Sequence, residues 1–172
     1  MRILGIDPAL SISGFGVIDE KEAGFCLVDS GIIKTLYGNS LQKRLATIHK
    51  NVLNIINTNK PDCIVLEKVY VHYRHQTTAY ILGQARGVIC LISAQMGLPL
   101  FEYAATRIKK ALVGRGLAPK EQVQRMVVGM LGLRSTPKYN DVTDALALAI
   151  AHSHIAKSNY RLTKNYKLIT KN

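Results

Sequence analysis

Two acidic side chains follow directly on short apolar runs of the sequence. Asp7 ends the first such run, and Glu67 ends a later one. Asp141 and Asp144 stand at the start of a helical pattern, at the i, i+3 spacing that places two side chains on one face of a helix. The chain has only 11 Asp and Glu residues, so this placement is informative. Converging carboxylates repel one another unless a cation holds them, and their oxygens suit Mg²⁺ or Mn²⁺.

The acids therefore predict a catalytic metal site. Two divalent ions about 3.5 to 4 Å apart activate a water molecule and stabilise the leaving oxygen of an in-line displacement at phosphorus. Each acid also has an ordinary alternative role, which the residues alone leave open. These roles are a turn residue for Asp7, a surface partner of Lys68 for Glu67, a helix N-cap for Asp141 and a residue favoured by the helix dipole for Asp144.

The charge balance predicts a polyanionic partner. Against the 11 acids stand 23 Lys and Arg residues, which give a formal net charge of +12. Basic side chains that neutralise phosphates release condensed counterions, and this gives strong, salt-sensitive binding to nucleic acid. A generic basic protein, whose charge only keeps it in solution, is the alternative that composition leaves open. Together, the charge and the acids favour hydrolysis of a nucleic-acid phosphodiester.

The hydrophobic pattern predicts a sheet that would position these acids. Short apolar runs punctuated by glycine predict a three-stranded meander, and two later runs predict a fourth and a fifth strand. Functional groups gather outside the carboxyl ends of neighbouring strands in such sheets, so we expect Asp7 and Glu67 at one edge. The predicted strands cover residues 1–6, 14–19, 25–34, 63–66 and 98–103.

Five amphipathic segments predict helices, the first of them capped by Asn39 or Ser40. The second predicted helix carries a stripe of small residues beside its apolar face, namely Gly83, Gly87, Cys90 and Ala94. Small residues let another backbone approach closely, so this helix packs either in the core on two sides or against a second copy of the chain. The predicted helices cover 41–56, 76–96, 104–113, 119–131 and 141–156.

We expect a single domain over 1–156, followed by a basic tail over 157–172 without acidic residues that is flexible. Apolar stretches such as 145–151 are far shorter than the roughly 20 residues needed to span a bilayer. The start of the chain lacks a signal-peptide pattern. These features predict a soluble, cytoplasmic protein with no membrane partner.

The cysteines and histidines give little support for zinc. The three cysteines are widely spaced without a C-x-x-C motif, which predicts neither a disulfide framework nor a structural zinc site. The histidines include two loose pairs, at 72/75 and 152/154, but no Cys or Glu partner stands at zinc spacing. We expect the cysteines to be reduced and partly buried.

Several short motifs, in this order, resemble the bacterial RuvC family of crossover junction endodeoxyribonucleases. The LGQARG and DVTDALA blocks are together specific, and the resemblance extends from residue 1 to about 155. The motifs are GIDP at 5–8, GFGV at 14–17, LEKVY at 66–70, LGQARG at 82–87, FEY at 101–103 and DVTDALA at 141–147.

The resemblance implies an α/β, RNase H-like fold, in which a five-stranded mixed sheet is flanked by helices. It implies a homodimer that makes paired, Mg²⁺-dependent nicks in four-way DNA junctions during recombination and repair, with the branch-migration proteins RuvA and RuvB as partners. By motif position, the four acids named above match the family's catalytic carboxylates. Tyr70 matches a base-stacking aromatic, and Lys109 and Lys120 match DNA-contacting residues. Arg86 is a further expected phosphate contact.

Departures from the family pattern occur after the first strand and after the fourth strand. Gly is usual in the family where this chain has Ala9, Gln is usual in place of Lys68, and the loop 71–78 is atypical, with His75 near a common Asn. We expect these departures to affect sequence preference and not the chemistry. Two rival hypotheses are a phosphotransferase of the actin and sugar-kinase group, whose second lobe this chain is too short to hold, and a non-catalytic nucleic-acid-binding module.

Overall fold

The structure, a computed structural model, describes residues 1–68 and 76–169, and describes side chains there except at 76–78 and 160–169. Five strands and five helices make up this part of the chain. The strands are β1 (Arg2–Asp7), β2 (Ile12–Lys21), β3 (Gly24–Lys34), β4 (Cys63–Glu67) and β5 (Leu100–Tyr103). The helices are α1 (Leu41–Asn59), α2 (Gln76–Gln95), α3 (Ala105–Val113), α4 (Lys120–Met130) and α5 (Asn140–Ile169).

The strands form one mixed sheet in the order β3-β2-β1-β4-β5, which confirms the predicted five-stranded α/β architecture. The first three strands are antiparallel neighbours, whereas β4 pairs parallel to β1 and β5 parallel to β4. In the β1–β4 register Ile6 lies opposite Leu66. Asp7 and Glu67 are the next residues on these two strands, so they leave the sheet side by side at one edge.

Side-chain alternation divides the core into two layers. Leu4, Ile6 and Leu66 belong to a buried cluster with residues of α1 and α2. Ile3 and Val65 point the opposite way, into a second cluster with residues of α3, α4 and α5. Because successive side chains on a strand point to opposite faces, Asp7 lies on the same face of the sheet as Ile3, and Glu67 lies on the same face as Val65. Both acids therefore lie on the face that α5 covers.

Glycines in β1 and β2 let α5 lie directly on the sheet. A Cβ atom at Gly5 would overlap the carbonyl oxygen of Ala145, and one at Gly14 would overlap that of Asp141. Gly16, which pairs with Gly5, would meet the side chain of Leu146. Gly14 also pairs with Asp7 in the ladder. The first turn of α5 thus rests on the strand residue beside Asp7, and only glycine permits that approach.

The predicted helices are confirmed, with differences at their ends. The first helix continues three residues past the predicted end, to Asn59, and Lys60 closes it in the left-handed conformation. Ser40 is its N-cap residue, but its side chain makes no capping hydrogen bond, so the expected polar cap is wrong. On α2, Ala85, Ile89 and Ile92 are fully buried against the sheet.

The last helix runs well beyond its predicted end near residue 156. Helix α5 continues to Ile169, so its regular backbone crosses the boundary between the predicted domain and the predicted tail. Neither Gly nor Pro occurs after residue 156 to end a helix. An ion pair between Lys157 and Glu20 also ties the helix to β2. Residues 170–172 of the predicted tail lie outside the described part of the chain, and the division at 156 stays a prediction. Within the described ranges, no helix has the length and apolarity needed to cross a membrane.

Candidate active site

The structure brings the four predicted acids together at the carboxyl edge of the sheet. Asp7 comes from the end of β1, Glu67 from the end of β4, and the two aspartates from the first turns of α5. Helix α5 begins at Asn140, so Asp141 lies inside the helix and is not its N-cap. The predicted convergence therefore has a structural basis in strand register and in the glycine contact beneath α5.

The electrostatics of Asp7 show how close the acids are. The pKa of Asp7 is raised from an ordinary 3.8 to about 7, first by burial and then by the negative charges of Asp144, Asp141 and Glu67. The cation of Lys120 acts in the opposite direction. An aspartate that holds its proton to near neutral pH marks a site where charge is concentrated and water is scarce.

Glu67 belongs to the same charged cluster. Desolvation raises its pKa first, and the charge of Asp144 raises it further. Lys109 and Lys120 lower it. The carboxylates of β4 and α5 therefore interact with each other and with two lysines.

A cavity of about 190 Å³ connects these groups. It opens between the end of β4 and helices α3, α4 and α5. Glu67, Lys109, Lys120 and Asp144 supply its charged lining. The apolar lining consists of Ala105, Ile108, Val123, Ala147 and Leu148.

The two lysines predicted to contact DNA both line this cavity. Nζ of Lys120 donates a hydrogen bond to Oδ2 of Asp144 at 2.6 Å, and this bond raises the pKa of Lys120. Nζ of Lys109 donates to the carbonyl oxygen of Ala118 at 2.8 Å, which fixes the ammonium over the cavity. Positive charge therefore stands beside the acids in the lining of the cavity.

The donor set suits a hard divalent cation. Carboxylates are the ligands that Mg²⁺ and Mn²⁺ prefer. Burial, and then the charges of the other three acids, raise the pKa of Asp7, and a bound cation would relieve that repulsion. Among the described residues, no three Asp, Glu, His or Cys side chains are already clustered tightly enough to enclose an ion. The fit therefore rests on ligand chemistry and charge.

The family described as crossover junction endodeoxyribonuclease RuvC matches residues 3–152. The chain belongs to the RuvC family. The predicted resemblance is thereby confirmed, and with it the RNase H-like fold. A match of this extent to a nuclease family excludes the phosphotransferase hypothesis.

Individual RuvC proteins are similar in sequence to this chain along most of their length. The RuvC of Paraburkholderia phytofirmans is 47% identical over 155 residues, which are 90% of this chain and 84% of that protein. The RuvC of Rhodopirellula baltica is 39% identical over 156 residues, which are 91% of this chain and 88% of that protein. The structure of T. thermophilus RuvC in complex with a Holliday junction substrate superposes with a TM-score of 0.88 at 33% identity, covering 92% of this chain and 96% of that one.

Arg86 stands apart from the cavity that the lysines line. Its Nη1 donates a hydrogen bond to the backbone carbonyl of Glu67 at 2.6 Å, and its Nη2 forms an ion pair with Glu102 of β5. Only 13% of the Arg86 side chain is exposed. These contacts clamp the end of β4, and the predicted phosphate contact of Arg86 gains no support from them.

The predicted dimer helix presents its small residues to the surface. A Cβ atom at Gly83 or Gly87 would meet nothing within 4 Å, and Cys90 is exposed. Of the two interpretations, packing in the core on two sides is therefore wrong for this stripe within the single chain. Beside it lie four large apolar side chains that are exposed, namely Tyr80, Ile81, Leu91 and Met96.

The remaining residues singled out in the sequence are Tyr70, its loop and the histidines, and none of them lines the cavity among the described residues. Tyr70 and the loop 71–75, with His72 and His75, lie outside the described residues. His152 is buried, hydrogen-bonded through Nδ1 to the hydroxyl of Tyr103 at 2.9 Å, and its pKa is lowered by burial. Nδ1 of His154 lies 3.0 Å from the carbonyl oxygen of Ala111. These two histidines link neighbouring elements of the fold.

Sequence reasoning missed two parts of the site. One is the ion pair of Arg86 with Glu102, for which the sequence holds no signal because the partners lie on α2 and β5. The other is the glycine contact beneath α5. Its signal was available, since Gly5, Gly14 and Gly16 fall within predicted strands, and glycine inside a strand marks a close approach of another backbone.

Proposed function

We propose that this chain is a Holliday junction resolvase that makes paired, symmetric nicks in four-way DNA junctions during homologous recombination and DNA repair. The observation that carries the proposal is the convergence of four carboxylates at one sheet edge, beside two lysines of a strongly basic protein. The acids supply metal ligands for phosphodiester hydrolysis, and the cations recognise DNA phosphates.

The acids divide naturally into ligand positions. The charges of the other three acids raise the pKa of Asp7. Asp7 would therefore be a ligand of two Mg²⁺ ions, with Mn²⁺ as a substitute. Glu67 would complete one ion site, and Asp141 with Asp144 the other. Ions held there would supply an activated water and would stabilise the leaving oxygen.

The protein's own groups would hold the substrate. Lys109 and Lys120 line the cavity next to Glu67 and would contact phosphate oxygens. The apolar side chains of Ile108, Val123 and Leu148 line the same cavity, and a bound substrate would displace water from them, which would strengthen each charge interaction there. Arg86 holds the Glu67 end of β4 in place.

A homodimer is part of the proposal. Two equivalent nicks in a two-fold symmetric junction require two active sites related by a two-fold axis. Helix α2 offers the surface, because its glycine stripe and neighbouring apolar side chains are exposed in the single chain. Small residues at Gly83, Gly87 and Cys90 would allow two such helices to approach closely.

Three further points stay predictions. Association with RuvA and RuvB and location in the cytoplasm come from the sequence and its resemblance. Base stacking by Tyr70 concerns a residue outside the described part of the chain. The hydrolysis proposed at the four acids does not depend on any of these three points.

The test compares synthetic four-way and linear duplex DNA, incubated with the protein in Mg²⁺ and then in chelator. We expect paired nicks in the four-way DNA alone, and only with the metal. Asp7→Asn should abolish cleavage and leave junction binding intact or tighter. Binding through ~6 to 10 phosphate contacts should weaken by ~10³ to 10⁵ between 50 and 200 mM salt. Cleavage by Asp7→Asn at the normal rate, or equal cleavage of linear duplex, would contradict the proposal.

A further inference from the structure

The turn between β3 and α1 presents two large apolar side chains to solvent at the sheet edge that holds the acids. Tyr37 is 92% exposed and Leu36 is 67% exposed. The strands β3 and β1 point the same way, because each is antiparallel to β2. The end of β3 therefore leads the chain out of the sheet on the same edge as Asp7.

The sheet register sets the spacing between Asp7 and the strand that leads into this turn. Asp7 lies opposite Gly14, and Gly14 lies opposite Ile32 of β3. Two strand spacings of about 4.8 Å therefore separate Asp7 from Ile32, or about 10 Å. Tyr37 lies five residues further along the chain than Ile32, beyond the end of β3.

Hydrogen bonds fix the turn to the loop that follows Asp7. The backbone N–H of Thr35 donates to the carbonyl of Ser11 at 3.0 Å, and its hydroxyl donates to the carbonyl of Leu10 at 2.6 Å. Arg44 of α1 donates through Nε to the Thr35 hydroxyl and through Nη2 to Ser11 Oγ, both at 2.9 Å. A further bond from Asn39 N–H to the Leu36 carbonyl closes the turn. These bonds tie the backbone of the turn that carries Tyr37 to the loop after Asp7.

The surroundings of the turn are basic. Between Asp29 and Asp62 the sequence contains no acidic residue. Lys34 precedes the turn and Lys43 follows it, and both are exposed. An exposed aromatic ring among cations is the arrangement that binds single nucleotides by stacking while the cations contact the backbone.

We propose that Tyr37 packs its ring against the junction strand, at a nucleotide away from the phosphate that is cut at Asp7. This inference rests on the proposed function and adds a second point of contact, on the opposite side of β1 from the lysines of the cavity. It makes Tyr37 a positioning residue, which sets where along the strand the scissile phosphate enters.

A single-tryptophan probe tests the contact directly. The chain contains no tryptophan, so Tyr37→Trp reports this position alone. Both the probe and its control carry Asp7→Asn, which prevents cleavage. The control is Ala23→Trp, an exposed site in the β2–β3 turn at the opposite end of the sheet. On addition of four-way DNA at fixed protein concentration, emission from Tyr37→Trp should be quenched and that from Ala23→Trp should not.

Binding and cleavage of the unlabelled protein give the second readout. Tyr37→Ala should weaken junction binding about tenfold, or ~1.4 kcal/mol, and Tyr37→Phe should restore it because the ring carries the contact. Nick positions should spread in Tyr37→Ala and stay sharp in Tyr37→Phe. A merely structural role would instead lower the melting temperature of Tyr37→Ala.

The outcomes separate this inference from the proposed function. If the unmodified protein cuts four-way DNA but emission from Tyr37→Trp is unchanged, the Tyr37 contact is wrong and the resolvase stands. If emission changes with protein concentration and not with DNA, the turn contacts a second copy and the inference is overturned. If the unmodified protein neither binds nor cuts the junction, the proposed function fails first.

Discussion

Nζ of Lys120 lies 2.6 Å from Oδ2 of Asp144, so a cation of α4 pairs with a carboxylate of α5 inside the candidate site. Both side chains are partly exposed, at 48% and 32%, and such pairs contribute little to stability. Their importance is functional. The ammonium covers a carboxylate that a metal ion would use, and the same ammonium is placed to contact phosphate.

Lys120→Ala should therefore change metal and DNA binding in opposite directions. Without the ammonium, Asp144 is free and the cluster is more negative, so Mn²⁺ should bind on the order of tenfold more tightly in the absence of DNA. Junction binding should weaken, and its salt dependence should fall by about one counterion. Calorimetry with Mn²⁺ and salt-dependent junction binding measure the two effects. Lys50→Ala, on the exposed surface of α1, is the control; a Lys120→Ala protein with weaker binding of both would contradict the assignment.

The raised pKa of Asp7 predicts a pH-dependent gain in stability for Asp7→Asn. The folded pKa of about 7 exceeds the ordinary 3.8, so the folded state binds this proton more tightly. The stabilising effect is full below about pH 4 and is lost as pH rises to about 7. Above pH 7, Asp7→Asn should be more stable than the unmodified protein, by on the order of 2 to 4 kcal/mol.

Urea unfolding in chelator at pH 4 and pH 8 measures this difference. It should be small at the lower pH and large at the higher one. Mg²⁺ should then stabilise the unmodified protein more than Asp7→Asn, because a ligand stabilises only the state that binds it. An equal change in stability at both pH values would show that Asp7 does not titrate in this window.

Gly14→Ala tests the contact that brings α5 to Asp7. The added Cβ would overlap the carbonyl of Asp141, so the helix start must move. We expect a loss of ~1 to 3 kcal/mol in the free energy of unfolding. Cleavage should fall by about 10², the effect of a misplacement of about 1 Å at a catalytic group. Gly129→Ala is the matched control: nothing lies within 4 Å of its Cβ position on α4, and it should gain ~0.5 to 1 kcal/mol.

A large residue at Gly87 should disturb the dimer and leave the monomer fold intact. The Cβ position of Gly87 faces open space, so Gly87→Leu meets no core atom of its own chain. We expect sedimentation to show monomers, with an unchanged circular dichroism spectrum and loss of paired nicks. Gly129→Leu, on α4, should remain dimeric. A folded, fully active monomer of the unmodified protein would refute the dimer.

Arg86→Lys distinguishes a clamp on β4 from a phosphate contact. Lysine keeps the charge but cannot reach both the Glu67 carbonyl and Glu102 in the forked geometry of arginine. We expect kcat to fall about tenfold through misplacement of Glu67, with junction affinity and its salt dependence unchanged. Weaker binding and a smaller salt dependence in Arg86→Ala would instead support the phosphate contact predicted from the sequence.

Local patterns in the sequence determined the elements of this protein and the chemistry of its acids. Each strand is a short apolar run and each helix an amphipathic one, so their types follow from neighbouring residues. Asp7 and Glu67 were predictable for the same reason, since each ends its own strand. Lys109, Lys120 and the aspartates of α5 came from family motifs. The predicted end of α5 near residue 156 was wrong, because a basic, polar sequence without Gly or Pro does not show where a helix stops.

Contacts between distant elements were decided by the tertiary structure alone. The register of β4 against β1 placed Glu67 beside Asp7, and the glycines of β1 and β2 fixed how closely α5 approaches them. The same packing turned the small-residue stripe of α2 outward. It also paired Arg86 with Glu102 and Lys120 with Asp144. Such pairings depend on strand register and on the orientation of each helix on the sheet. Those are properties of the whole core, which no local run of residues encodes.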